Sequence, residues 1–242
     1  MSSVVVAIGR RYLPRGWSDL GLQVAIWIGF LFAYQVARGI ADRHPEQAIA
    51  NGLKVVQWET EVSDRLFELT LQQFVSAQGW LSALAAATYW TSEFPVLTAA
   101  LLFLYLRRHI YFAPFRNTLL LANLIGLLGY VLMPTAPPRL LSIGFVDNHK
   151  DGLVQLVANP YAAMPSLHAA DAIIVGVVLA FVCRRWWAKV FWSLWPAWVW
   201  FAVMATGNHF WLDCLAGLGV ALIALAVVYG RDAMRVVAAR RA

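Results

Sequence analysis

The chain has 242 residues, 61% of them hydrophobic and only 13% charged, with a formal net charge of +6 and a mean hydropathy of +0.63. A water-soluble domain of this length carries about twice that share of charge, so the composition predicts an integral membrane protein instead. The basic balance does not point to nucleic acid: the arginines stand in small groups at the ends of apolar runs, where membrane topology accounts for them.

In chain order, apolar runs long enough to cross a bilayer fall at about 19–38, 84–106, 116–133, 167–184, 188–206 and 211–230. Each is expected to be helical, because hydrocarbon offers the backbone no partner but itself. This predicts an all-α, six-helix transmembrane bundle, with residues 1–242 as a single membrane-embedded domain whose core lies at about 84–230. Arg10, Arg11 and Arg15 precede the first span. Arg107, Arg108 and Arg116 follow the second, Arg184, Arg185 and Lys189 the fourth, and Arg231, Arg235, Arg240 and Arg241 the sixth. With six spans these groups share one face, which the positive-inside rule makes cytoplasmic. Both termini of a multi-pass cell-membrane protein are then cytoplasmic. Arg10-Arg11-Tyr12-Leu13 faintly resembles a twin-arginine export signal. The apolar stretch behind it is long for a signal peptide and no clear small-residue cleavage site follows, so it is taken as a permanent span.

Residues 39–83 form the first outer segment. Ile49, Leu53, Val56, Trp58, Val62, Leu66 and Leu69 recur there at helical spacing, with Glu59, Glu61, Asp64 and Glu68 between them. The pattern predicts an amphipathic helix on the outer membrane surface, as a lid or as a packing helix that covers the bundle. Residues 107–115 are expected to be a short inner turn. The second outer loop, 134–166, holds Pro134, Pro137, Pro138, Pro160 and Pro165. At about 30 residues it is longer than connectivity needs, as functional loops often are. The third outer connection, 207–210, is short. Cys183 and Cys214 fall toward opposite ends of their spans, too far apart for a disulfide.

Polar groups gather at the outer span ends. His209 and Asp213 are four apart and share a helix face. Asp213 can accept from one ring nitrogen, fixing the tautomer and making the other nitrogen a nucleophile. At the mouth of the fourth span, Pro165 and Ser166 suit a helix start. The free N–H groups there can seat an anion, and His168 in the first turn is placed to act as a general acid. Arg139, in a proline-framed stretch just outside the third span, can bind phosphate oxygens bidentately. Asp171 shares the face of His168 and can orient it, bind a hydroxylated group or stabilise the bundle. Glu93, in the outer part of the second span, is a candidate pocket residue.

Pro165-Ser166-Leu167-His168 and His209 with Asp213 resemble the Pro-Ser-Gly-His and His-x-x-x-Asp motifs of the type 2 phosphatidic acid phosphatase superfamily, with Leu167 in place of glycine. The wording around Tyr161–His168 and Gly207-Asn208-His209 is similar to the branch related to inositol phosphorylceramide synthases. The resemblance implies a lipid phosphatase or phosphotransferase. It implies His209 as a nucleophile forming a phosphohistidine, Asp213 orienting it, His168 as acid–base, and Ser166 and Arg139 as phosphate ligands. It implies neither a metal nor another cofactor. The expected partners are a phosphorylated lipid, the bilayer and, for a transferase, a polyol acceptor, with the site on the extracytoplasmic face.

Two cations of the family pattern are absent: Leu132 stands where the first motif has lysine, and Val203 where the last has arginine. A phosphodiester carries less charge than a monoester and needs a weaker cradle, which favours head-group transfer, for instance of inositol phosphate. Alternatively Lys150, His149, Asn159, Tyr161 or Asn208 fill the gap as substrate-binding residues. Two other classes stay open. One is a metal site built from His168, Asp171, His209 and Asp213; the other is a non-catalytic transporter or scaffold.

Overall fold

A computed structural model describes residues 13–41, 44–147 and 160–241, with side-chain surroundings as far as Gly230. The described residues form α-helices and short turns: α1 (Gly16–Ala41), α2 (Pro45–Ser63), α3 (Phe67–Ser76), α4 (Gly79–Ser92), α5 (Phe94–Arg107), α6 (His109–Leu132), a 3-10 turn at Pro138–Leu140, α7 (Leu167–Val182), α8 (Trp186–Ala205) and α9 (Trp211–Arg241).

Every predicted apolar run is helical, but the count of six spans is not upheld. Three helices are long and apolar enough to cross a membrane: α1, α6 and α9. A fourth span is added if α4 and α5 are taken together across their 50° bend. The bend falls at Glu93, where Pro95 at the start of α5 removes a backbone donor from the ladder. At 16 residues, α7 rises only about 24 Å, because Ser166 starts it and Cys183-Arg184-Arg185 ends it. The 20-residue α8 is long enough, but Lys189, Pro196 and a run of tryptophans lower its hydropathy. The expected inner turn at 107–115 also shrinks. Helix resumes at His109, and Pro114 lies inside α6.

The core runs between α6, α7 and α9, around Phe115, Leu119, Ile174 and Ala224. Small residues let these helices approach, as membrane helix pairs require. A Cβ on Gly217 would collide with the Ser166 carbonyl, and one on Gly126 with the Leu167 side chain. Cys183 and Cys214 are both free.

Helices α2 and α3 cover one end of the bundle, with an unexpected orientation. Part of the apolar stripe faces outward: Ile49, Leu53, Trp58 and Val62 are exposed, while Val56 and Leu66 pack inward. Beside Ala48, Val55 and Val75, the buried face carries four polar side chains, Asn51, Glu59, Glu68 and Gln72. Each finds a hydrogen-bond partner below. Asn51 Nδ2 donates to the Pro134 carbonyl at 2.9 Å. Gln72 exchanges two bonds with the Val146 backbone. The cover is thus an amphipathic element held to the protein by both polar and apolar contacts, with part of its apolar side exposed.

Candidate active site

Three connecting segments meet beneath this cover and are stitched together by backbone hydrogen bonds. The Arg139 N–H donates to the Gly207 carbonyl at 3.0 Å, and the Ser166 N–H to the Asp213 carbonyl at 3.0 Å. Thr135 accepts from Ala163 and donates to Tyr161, forming a single parallel bridge with Ala162. Gly207 takes a left-handed φ of +69° to turn the chain from α8 toward α9. Segments far apart in sequence thereby present their side chains to one small cavity of about 60 Å³. Its walls include His168, His209, Arg139, Asn208, Glu93 and Tyr89.

His209 is nearly buried. Its Nδ1 lies 2.9 Å from the Ala163 carbonyl. A carbonyl only accepts, so Nδ1 carries the proton and Nε2 keeps a lone pair. Desolvation by burial, reinforced by the nearby Arg139 charge, pulls the His209 pKa down to about 3; the ring is neutral near pH 7. Asp213 Oδ2 stands 3.5 Å from the same nitrogen and accepts the Phe210 N–H at 2.9 Å. The expected direct His–Asp bond is therefore looser than anticipated, and the Ala163 carbonyl is the closer acceptor.

The rings of His168 and His209 lie 5.6 Å apart. His168 stacks on Tyr89 at 4.5 Å, and its Nε2 is 3.3 Å from Glu93 Oε2. The bend between α4 and α5 is what turns Glu93 toward that ring. Arg139 sits on the 3-10 turn, its Nε 3.8 Å from Asp147. Ser166 is fully buried as the N-cap of α7, its Oγ accepting the Ala169 N–H at 3.2 Å. It is not part of the cavity wall.

Other candidates are placed differently. Asn208 lines the cavity and donates to Thr206 at 2.7 Å. Tyr161 packs instead against the hydrophobic cluster of Val55, Leu141 and Phe210. Asp171 points into the bundle, where Asn123 of α6 donates to both its oxygens at 2.9 and 3.2 Å. Its contacts match the bundle-stabilising alternative. Lys150, His149 and Asn159 lie outside the described residues. Among the described residues, no group of three His, Cys, Asp or Glu side chains is placed to hold a metal ion. The four-residue metal set is not brought together, since Asp171 faces Asn123. Leu132 is 70% exposed at the end of α6, and Val203 is fully buried; both side chains are uncharged.

Sequence reasoning missed two contributions. One is Tyr34, Tyr89 and Tyr130 in the cavity wall; isolated tyrosines in apolar helices read as interfacial anchors. The other is an acid pair. Glu59 and Glu68 are fully buried, and the second oxygen of each, Oε2, has no hydrogen-bond partner among the described residues. Glu59 Oε1 accepts the Leu212 N–H at 2.9 Å, and Glu68 Oε1 the Trp211 N–H at 2.8 Å. With Asp213 they cap the open N–H groups at the start of α9, where the helix dipole favours negative charge. Burial, then the proximity of Glu68 and Asp213, raises the Glu59 pKa to about 9. Burial also raises that of Glu68. Glu59 therefore keeps its proton near neutral pH.

A family model described as the PAP2 superfamily matches residues 57–227. Phosphoinositol dihydroceramide synthase of Bacteroides thetaiotaomicron is 29% identical over 151 residues, 53% of this chain and 49% of that protein. The matched region thus spans about half of that relative's length. The fold is similar to the crystal structure of Aquifex aeolicus LpxE, with a TM-score of 0.54 at 18% identity, over 70% of this chain and 98% of that one.

Proposed function

Since the chain belongs to the PAP2 superfamily, we propose that it is a metal-independent lipid phosphatase or phosphotransferase working through a phosphohistidine. One observation carries this reading: His209, with Nδ1 tied to a carbonyl, faces His168 across a cavity walled by Arg139. The Nε2 lone pair of His209 attacks phosphorus, and the bond from phosphorus to the leaving oxygen breaks. That oxygen takes a proton from His168, which Glu93 holds in place. Water or an acceptor hydroxyl then attacks the phosphohistidine and gives its proton to His168. The P–N bond breaks and its electrons return to Nε2. Arg139 steadies the phosphoryl oxygens throughout. Ser166 supports His168 by capping α7, which carries it, and Asp213 supports His209 from the first turn of α9, just after it.

Asn208 is a polar candidate for a substrate hydroxyl, and Asp171 supports the helix that carries His168. In this reading Lys150, Asn159 and Tyr161 contribute from the second outer loop. Residues 1–242 act as one membrane domain with its core at about 84–230. The site opens to the extracytoplasmic face: Arg107, Arg108, Arg184 and Arg185 lie at the opposite helix ends, and basic ends stay cytoplasmic. Both termini are then cytoplasmic.

Head-group transfer to a polyol acceptor such as inositol is favoured over hydrolysis by two observations. The cationic cradle lacks contributions at Leu132 and Val203, and the Bacteroides relative is named as a phosphoinositol dihydroceramide synthase. Purified protein given phosphatidate or phosphatidylinositol, with and without inositol or a ceramide acceptor, is expected to yield phosphate or a new phospholipid. His209→Ala is expected to abolish both while the fold persists; retained turnover refutes the phosphohistidine.

A further inference from the structure

Beside the catalytic cavity lies a second and larger one of about 380 Å³. Helices α1 and α5 both stand near α6 and leave a slot between them, walled by Val24, Trp27, Leu31, Leu97 and Leu101 and backed by Phe112. Tyr34 and Glu93 belong to the walls of both cavities, so the slot begins where the catalytic cavity ends. It descends along α5 from Glu93 to Tyr105, about 18 Å of helix rise.

The far end is closed by polar bonds. Tyr105 Oη donates to Asp19 at 2.9 Å. Gln23 donates to Asp19 at 3.2 Å and accepts from Arg116 at 2.5 Å. Hydrocarbon entering this floor would strand partly buried polar groups, at a cost the apolar walls do not offset.

We propose that this slot holds one aliphatic chain of the substrate lipid, and that the Asp19–Tyr105 floor sets how long a chain it accepts. The proposal rests on the lipid phosphoryl-transfer reading above and adds a subsite to it. One wall, α1, precedes the residues that the family model matches. Bilayer hydrocarbon is as apolar as the slot, so moving a chain into it yields little affinity. The benefit is alignment: a seated chain delivers the phosphate between His168 and His209 in one orientation.

The test uses the full chain with His209→Ala in lipid nanodiscs and two probes. One is a long-chain alkyl phosphate with a diazirine at the chain terminus. The other is the matching alkyl alcohol, which lacks the phosphate. After illumination and peptide mapping, the phosphate probe is expected to label α1 and α5 near Leu20, Val24 and Leu101 well above the alcohol. Leu101→Trp, or Leu97→Trp nearer the mouth, is expected to suppress that label. In the otherwise wild-type chain the same substitution should lower the long-chain to short-chain ratio of kcat/KM about tenfold. Equal labelling by both probes means that bulk lipid fills the slot, and overturns the proposal. So does phosphate-probe label spread over the other lipid-facing helices. Absence of turnover on any lipid ester refutes the phosphoryl-transfer reading instead, and the comparison of the two probes still decides the slot.

Discussion

Replacing Glu59 with glutamine tests whether the buried acid pair governs the helix that carries Asp213. In the native pair, Glu59 accepts the Leu212 N–H and Glu68 the Trp211 N–H, and burial keeps a proton on Glu59 near neutral pH. Glutamine keeps the acceptor for Leu212 and presents an N–H to Glu68, so Glu59→Gln preserves the geometry and removes the titration. The sign follows from linkage. The Glu59 pKa rises from 4.5 to about 9 on folding, so between those values the folded chain holds a proton that the unfolded chain releases. Its stability therefore falls as pH rises through that window, by up to about 1.4 kcal/mol per pH unit for one proton. Near pH 9 the proton leaves, two carboxylates and Asp213 crowd one helix end, and activity should drop. Thermal unfolding in nanodiscs and a pH–rate profile read both effects. Glu59→Gln is expected to flatten the stability slope and move the alkaline limb upward, with turnover near pH 7 retained. Glu59→Ala leaves the Leu212 N–H without its partner and should cost about 1–3 kcal/mol. An unchanged alkaline limb in Glu59→Gln would refute the account of a proton held on Glu59.

Three further outcomes are expected. His168→Ala should slow transfer from an alkyl ester by about 10²–10⁴-fold, but far less from an ester whose leaving group needs no proton. Glu93→Gln should show the same dependence on leaving group in weaker form, measured as kcat on the two esters. Gly217→Ala should drive α7 and α9 apart at the Ser166 carbonyl and lower stability by about 1–3 kcal/mol, read as a fall in unfolding temperature.

The short polar motifs were legible because a histidine or aspartate at the mouth of an apolar helix has no cheap local explanation. Arg139, His168 and His209 meet in one cavity as their placement at outer span ends implied. The acid pair was not legible. A glutamate between apolar residues at helical spacing reads as the solvated side of an amphipathic helix, yet Glu68 and Glu59 bond to residues 143 and 153 positions away. Nothing local reports that distance. The span count failed for a related reason. Apolar length alone did not register that Pro95 breaks the second run at Glu93, nor that the tryptophans of α8 dilute its hydropathy. The same break is what turns a weak candidate, Glu93, onto His168.

The cover formed by α2 and α3 works through its underside. Ile49, Leu53 and Trp58 are exposed on the outer side, while Glu59 and Glu68 on the underside are moored to the first backbone amides of α9. The cover and the start of α9 are thus one hydrogen-bonded unit, so a substitution that loosens α2 or α3 also loosens the segment that seats His209.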